Sequence, residues 1–276
     1  MDYNAEDMLQ YMNLIKEAKA SQVWVDIAGR YFSDNDRWKL SLILDNSHRA
    51  LTRKTESSDK VVSISIDEKP NSYFHHKSMM YAIADWFINF PFRNVVGIQP
   101  VATPAALAFQ VGSEPVVVSA LTESSNDVKS AFINTIAQAI IRISGEPVAA
   151  VSISEVDNYV KYIPIPENSK LVAIIHGIVD QKPDDGFNVV HTNGASFLEN
   201  GINHIYVIGL PSNEEIYCFM PNSDFSAGLV FCPYLIGLKA VSVINKPSET
   251  EVKYMSRGSV AAFPNARKFY HRIKII

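Results

Sequence analysis

Hydrophobic residues follow their clearest pattern in the middle of the chain. The runs Ala105–Val111 and Val116–Leu121 are rich in β-prone side chains, and the residues Gly112–Pro115 between them are typical of a hairpin turn. After Ser124, a good N-cap residue, hydrophobic positions recur at helical spacing until Gly145. The pattern therefore predicts a β-hairpin and then a helix of about five turns, with an apolar face of Val128, Phe132, Ile136, Ile140 and Ile143.

The pattern on either side of this segment is mixed. The spacing from Met8 to Ala18 predicts an amphipathic helix, Leu40–Leu44 is a short apolar run, Thr52–Lys60 indicates an exposed loop, and Val61–Ile66 alternates as a strand does. From Val148 to Leu210, and again towards the C-terminal end, short apolar runs separated by turn residues predict strands. Because strands and helices do not alternate regularly, we expect an α+β fold rather than a doubly wound parallel sheet.

Composition narrows the class of protein. The chain has 276 residues, of which 47% are hydrophobic, so it can bury a sizeable core. A formal net charge of −4 provides no global cationic surface for tight nucleic-acid binding. Two cysteines, Cys218 and Cys232, form no disulfide framework. The acidic N-terminus and the lack of a run of roughly 18 apolar residues predict a soluble protein with no membrane contact.

Signatures of catalysis and of metal binding are missing from the sequence. It has no nucleophile elbow, phosphate loop, zinc-protease helix or dinucleotide fingerprint. His75 and His76 are adjacent, which suits a two-ligand site poorly, and we expect both cysteines to be buried and inert. We therefore expect no catalytic residue, no cofactor and no metal. An alternative of another class is a small α+β enzyme or ligand-binding protein with a site in the turn-rich segment Asp180–His191.

A charge asymmetry distinguishes the C-terminal segment. Residues 246–276 contain seven basic and two acidic side chains. One interpretation is a solvated face that balances an acidic remainder. The other is a contact with acidic neighbours, either another subunit or packaged nucleic acid.

Three segments, in order along the chain, resemble the major capsid proteins of T-even-type tailed bacteriophages. Val96–Pro104 reads V-G-I-Q-P-V-A-T-P and is similar to the family's G-V-Q-P-M-x-G-P. Ala227–Tyr234 reads A-G-L-V-F-C-P-Y and is similar to A-G-L-F-Y-C-P-Y. The segment from Arg257 to Pro264 keeps the family's spacing between an arginine and a proline, and Lys268–Arg272 resembles the aromatic and basic ending of those proteins.

The resemblance implies a Hong Kong 97-type capsid fold. Such a subunit has an N-terminal arm, an extended β-hairpin loop, a long spine helix, and peripheral and axial domains. The order of predicted elements matches this plan. The expected boundaries are an N-terminal arm and extension at 1–96, the hairpin loop at 97–123, the spine helix at 124–146, the axial domain at 147–228 and the closing strands of the peripheral domain at 229–276.

The function implied by the resemblance is assembly. The chain would form pentamers and hexamers of an icosahedral head shell around double-stranded DNA, which it would contact weakly and without sequence specificity. It would be located in the virion after assembly in the host cytoplasm, with portal, vertex and scaffold proteins as partners. A vertex paralogue or a nanocompartment shell protein stays open, because Thr103 and Ile236 depart from the family pattern. The expected subunit-interface residues are Pro104, Phe109, Val111, Val117, Tyr234 and Arg257.

Overall fold

The computed structural model describes residues 34–52, 70–125, 128, 131–167, 169–176, 179–180, 188–189, 202–207, 209–219, 223–243 and 246–276. Its helices are α1 (Asp34–Thr52), α2 (Pro70–Ile88), α3 (Ile133–Ser144) and α4 (Val156–Lys161). Its strands are β1 (Gly97–Ile98), β2 (Ala105–Ala108), β3 (Val116–Ser119), β4 (Leu121–Ser125), β5 (Ala149–Val151), β6 (Leu171–His176), β7 (Val179–Asp180), β8 (Asn188–Val189), β9 (Asn203–Val207), β10 (Glu214–Phe219), β11 (Leu229–Val243), β12 (Lys246–Ala262) and β13 (Tyr270–Ile275). The helix predicted near Met8 and the strand predicted at Val61–Ile66 lie outside the described residues.

Two larger sheets organise the described residues. The first has the strand order β1-β11-β12-β4, in which β1 is parallel to β11 and the other neighbours are antiparallel. The second is mixed, with the order β5-β13-β10-β6-β9. Among the described residues, helices and strands do not form regular βαβ units, in agreement with the predicted α+β class. No helix among the described residues is long and apolar enough to cross a membrane.

The main hydrophobic core lies between the helices and the two sheets. An aromatic cluster forms its centre, with ring centroids 5.5 Å apart for Phe90 and Phe231 and 4.8 Å apart for Phe132 and Phe231. Helix α1 is buried from Lys39 to Ser47, and α2 supplies Trp86 and other core residues. Residues 34–52 and 70–96, which the sequence comparison placed within an N-terminal arm, therefore contribute to the hydrophobic core of the chain.

The helix predicted after the hairpin begins later than the sequence pattern indicated. Ser124 and Ser125, expected to be at its start, belong to β4 and are paired with Met255 and Tyr254 of β12. Helix α3 begins at Ile133, directly after Phe132, which has a left-handed φ of 65°. The Phe132 ring is buried in the aromatic cluster, and this packing outweighs the local helical spacing. The helix ends as predicted at Gly145, whose φ is also 65°.

Two other segments contain helices where short apolar runs are also compatible with strands. Leu40–Leu44 lies in helix α1, where Leu40, Ile43 and Leu44 are fully buried. The predicted strand-rich segment from Val148 to Leu210 contains β5, β6 and β9 but also helix α4. A short apolar run such as Leu40–Leu44 does not distinguish a strand from a buried helix. In α4, Val156, Tyr159 and Val160 have the three- to four-residue spacing of a helix.

Candidate subunit interface

The segments that carry the family resemblance meet in one sheet. Strand β1 pairs with β11 through Gly97 opposite Val230 and Ile98 opposite Phe231. The ladder extends beyond β1, because the backbone N–H of Gln99 donates to the carbonyl of Phe231 at 2.9 Å. Strand β12 then pairs along the other side of β11, from Arg257 opposite Leu235 to Ala262 opposite Leu229. Residues more than 120 positions apart in sequence thus form adjacent strands.

Glycine is required where these segments approach other backbone. A Cβ on Gly97 would lie 2.2 Å from the carbonyl oxygen of Asp224, a distance that no packing can accept. A Cβ on Gly258 would lie 2.7 Å from the ring of Phe132 and 3.1 Å from the carbonyl oxygen of Cys232. Packing within the chain therefore explains both of these motif glycines.

The C-P-Y sequence forms a bulge in strand β11. Pro233 is opposite Gly258 and Leu235 is opposite Arg257, so Tyr234 is the extra residue. Its carbonyl accepts a hydrogen bond of 2.9 Å from the Nδ2 of Asn46 in helix α1. A proline in a central strand removes a donor, and the bulge accommodates that loss. This motif, too, joins elements of the same chain.

The predicted hairpin is confirmed as the antiparallel pair β2–β3. Its inner face packs on the four-stranded sheet, where Ala108 and Val118 join the second core cluster with Val230 and Cys232. Gln99 fixes the start of the turn by two hydrogen bonds to the backbone of Phe109: its Nε2 donates to the carbonyl at 2.7 Å, and its Oε1 accepts from the N–H at 3.0 Å. The hairpin therefore packs on the rest of its own chain along one face.

The outer face of the hairpin is uncovered and apolar. Leu107 and Val117 are directly opposite each other there, with exposed fractions of 38% and 75%. Ala105 and Ser119, the next pair on this face, are exposed as well. We call these four residues the hairpin face. Between Gly97 and Thr122, Glu114 is the only charged residue, so the hairpin offers little to keep such a surface solvated.

The six residues expected at a subunit interface differ in their exposure to solvent. Val117 lies on the hairpin face, Val111 is 58% exposed in the turn, and Pro104 is exposed before β2. Phe109 is only 7% exposed, so its side chain already packs within the chain. Substitution of Phe109 by a charged residue would therefore destabilise the fold as well as any contact between subunits.

Tyr234 and Arg257 form a contact with each other at the bulge. The guanidinium carbon of Arg257 lies 5.9 Å from the centroid of the Tyr234 ring, and both residues are half-buried. The pairing is a cation–π contact within the chain. The Arg257 Nε is buried with no hydrogen-bond partner in the part of the chain that the structure describes.

Leu107 and Leu121 belong with these exposed apolar residues but were not predicted as interface residues. Leu121 begins β4 directly after the hairpin and is exposed. For Leu107 the sequence held a usable signal, since residues two apart on a strand share a face and Ala105 and Leu107 alternate with Ala106 and Ala108. For Leu121 the sequence contained no such signal, because its exposure depends on the pairing of β4 with β12.

Several basic residues of the C-terminal segment have partners in the same chain. Arg272 is paired with Glu214, Nε to Oε2, at 2.5 Å. Its Nη1 also donates to the carbonyl of Gly145 at 2.7 Å, which satisfies the end of helix α3. Lys268 forms a cation–π contact with Phe269, its Nζ lying 4.9 Å from the ring centroid. Part of the excess positive charge therefore has a structural role within the chain, which neither interpretation of the sequence had described.

The residues considered for chemistry are dispersed. Burial raises the pKa of both thiols, that of Cys232 to about 12, so the reactive thiolate is disfavoured at neutral pH. No group of three or more His, Cys, Asp or Glu side chains in the described ranges could hold a metal ion. Of the alternative site Asp180–His191, only Asp180, Asn188 and Val189 fall among the described residues, in the short pair β7–β8.

Comparison with known proteins gives matches only among solved structures. No protein-family model and no curated protein matches the chain. A capsid chain of the native GTA particle is similar with a TM-score of 0.32 at 11% identity, over 67% of this chain and 89% of that one. A chain from the procapsid of satellite phage P4, which includes the size determination protein Sid, is similar with a TM-score of 0.32 at 9% identity, over 74% and 98%. Likenesses of this size do not bear on function.

Proposed function

We propose that the chain is a major capsid protein, which self-assembles into the icosahedral head shell around the double-stranded DNA of a tailed phage. The observation that carries the proposal is the hairpin face. Leu107 and Val117 form an exposed apolar pair on a hairpin whose segment, Gly97 to Thr122, contains one charged residue, Glu114. A surface of this kind is poorly solvated on a monomer and is well suited to contact another copy.

The convergence of the resemblance motifs supports the same proposal. Val96–Pro104, Ala227–Tyr234 and the segment from Arg257 to Pro264 are far apart in sequence but form one sheet together. Their glycines and the C-P-Y bulge are explained by contacts within that sheet. A sequence that resembles a capsid family in these positions would thus retain the residues that build the capsid subunit.

In this proposal the protein acts by assembly and not by catalysis. One subunit touches several neighbours in a shell, so modest contacts suffice because closure multiplies them. The domain plan predicted above, with peripheral and axial domains and a spine helix that includes α3, belongs to the proposal. So do the pentamers and hexamers, the weakly contacted DNA, the virion location and the portal, vertex and scaffold partners.

The experiment is negative-stain electron microscopy of the purified full chain, with sedimentation velocity on the same sample. We expect closed shells or capsomers, and a loss of these particles in Val117→Asp. Asn94→Asp, an equal charge added at another exposed position, is the control and should assemble normally. A compact monomer at every concentration tested would contradict the proposal. Mass analysis of the contents distinguishes a virion, which holds DNA, from a nanocompartment, which holds enzyme cargo.

A further inference from the structure

His271 lies in the five-stranded sheet, on β13 and directly opposite Tyr217 of β10. Its Nε2 is buried and has no hydrogen-bond partner in the part of the chain that the structure describes. A neutral imidazole can leave this nitrogen unprotonated, whereas a charged imidazole carries a proton on both nitrogens. The charged ring would therefore hold a buried N–H that no described group accepts.

Aromatic rings lie next to the imidazole. The ring of Phe219 is stacked on that of His271, with centroids 6.4 Å apart and planes inclined at 21°. Phe219 also contacts Phe269, with centroids 5.6 Å apart. A cation gains energy from an aromatic face within about 6 Å, so a charged imidazole would gain little from Phe219 at this distance. The charged form thus loses part of its hydration without a comparable contact in return.

The carboxylates near this part of the sheet act on Tyr217. The Tyr217 hydroxyl donates to Oε2 of Glu215, two residues before it on β10. Burial, Glu215 and Asp157 of α4 together raise the pKa of Tyr217. Strand β5, the neighbour of β13 on its other side, contributes only the aliphatic residues Ala149–Val151. Within the described part of the chain, burial and the backbone of Lys268 determine the pKa of His271, without a contribution from either carboxylate.

The charged groups of the turn before β13 are cations. The Lys268 Nζ lies 4.9 Å from the centroid of the Phe269 ring. The Nη2 of Arg267 donates to the carbonyl of Glu146 at 3.4 Å. Neither side chain can accept a proton from His271, and a charged imidazole would add a further positive charge beside them.

The sign of the pH effect follows from burial. Burial lowers the pKa of His271 in the folded chain below its ordinary value of 6.5, and a hydrogen bond with the Lys268 backbone opposes this shift more weakly. The opened strand pair binds the proton more readily than the closed pair, so opening takes up a proton. The stability of the pair is therefore complete above pH 6.5 and is lost as pH falls from 6.5 to the folded value.

From this arrangement we infer that the β10–β13 pair is an acid-sensitive element of the fold, controlled by the protonation of His271. A second proton on the imidazole gives Nε2 a buried N–H without an acceptor, and the pair opens. The described strands of the four-stranded sheet, β1, β4, β11 and β12, contain no histidine. The inference concerns the conformation of the single chain, so it goes beyond the assembly proposed above and does not depend on it.

The test is hydrogen exchange of the purified full chain at pH 7 and pH 5, read by mass spectrometry and corrected for the intrinsic exchange rate. Peptides from β10 and β13 report opening of the pair, and peptides from β12 are the internal reference. We expect opening of the pair to increase towards pH 5. One proton is taken up, so the increase is at most about tenfold per pH unit.

Two variants remove the titrating group. His271→Gln keeps a polar side chain, and His271→Phe keeps a ring that can stack on Phe219. In either variant that is folded at pH 7 by circular dichroism, the increase should disappear, although His176 and His204 of the same sheet are retained. His48→Gln is the matched control. Burial also lowers the pKa of His48, but this residue lies in α1, so the increase at β10 and β13 should persist.

An NMR titration of the unaltered chain gives a second measurement that needs no variant. The imidazole of His271 should titrate below pH 6.5, and titration at or above that value would overturn the inference. Equal opening of the pair at pH 7 and pH 5, or an increase that persists in a folded His271 variant, would overturn it as well. Loss of the increase in the His271 variants and its retention in His48→Gln support the inference.

Discussion

Gln99 holds the hairpin on the sheet, and its replacement gives the sharpest test of the fold. The side chain is 1% exposed, and its amide both donates to and accepts from the backbone of Phe109, at 2.7 and 3.0 Å. In Gln99→Ala the backbone N–H and the carbonyl of Phe109 both lose their hydrogen bond to the Gln99 side chain. An unsatisfied buried polar group costs about 1–3 kcal/mol, so the two together would cost about 2–6 kcal/mol.

The lower part of that range is expected here. Val111 lies two residues away and is well exposed, so water can reach the freed groups once the turn moves slightly. We therefore expect a loss of about 2–3 kcal/mol, which corresponds to a fall in Tm of roughly 4–12 °C for a chain of this size. The loss should be accompanied by faster hydrogen exchange of the Phe109 amide, because that N–H donates to the Gln99 side chain.

The assay is urea unfolding with native-state hydrogen exchange, and Ser119→Ala is the control. Ser119 is exposed on the same hairpin, so its truncation should leave both the urea midpoint and the Phe109 amide unchanged. An unchanged midpoint together with unchanged protection of Phe109 in Gln99→Ala would refute the reasoning. It would mean that hairpin packing against Val230 and Cys232, and not the amide of Gln99, holds the turn.

Three further predictions concern other contacts. Gly97→Ala should lower the free energy of unfolding by about 3 kcal/mol or more, because the new methyl group collides with the Asp224 backbone. Gly112 has a φ of 74° with open space around it, so Gly112→Ala should lower the free energy of unfolding by only about 1–2 kcal/mol. Equal urea midpoints for the two variants would contradict this account. Tyr270→Phe should lower the free energy of unfolding by about 1–3 kcal/mol, because the Tyr270 hydroxyl donates to the buried carbonyl of Val95 at 2.9 Å. A Tm equal to that of the unaltered chain would show that this hydrogen bond is dispensable. Burial raises the pKa of Glu123 in the folded chain, so its contribution to stability is present below its ordinary pKa of 4.5 and is lost as pH rises through the folded value. Glu123→Gln should therefore gain stability relative to the unaltered chain between pH 4 and pH 7 in urea titrations, and a constant difference would contradict the burial effect.

Local patterns in the sequence were sufficient for elements that are themselves local. The hairpin follows from two β-prone runs with a Gly112–Pro115 turn, and the end of α3 follows from Gly145. The start of α3 does not, because Phe132 has a left-handed backbone so that its ring can pack against Phe231. No pattern within ten residues of Phe132 carries that information.

At the candidate interface, too, the sequence predicted features that depend on neighbouring residues but not those that depend on distant ones. Alternation along β2 and β3 predicts which residues share a face, and so Val117 could be identified as exposed. The burial of Phe109 depends on Gln99 and on the strands beneath the hairpin, which are distant in sequence. The partners of Arg272 are likewise distant, since Glu214 and Gly145 approach it only when β10, β13 and α3 are assembled. Whether the six candidate residues lie between subunits stays a prediction.

The pairing of β1 with β11 and of β11 with β12 determines when the chain can fold during synthesis. The aromatic cluster needs Trp86 and Phe90 from the first third of the chain and Phe231 from the last. Until β11 has left the ribosome, the rings of Trp86 and Phe90 lack the Phe231 ring that completes the cluster. A nascent chain of this protein would therefore have to remain unaggregated until β11 is complete, and truncation before β11 should yield insoluble fragments.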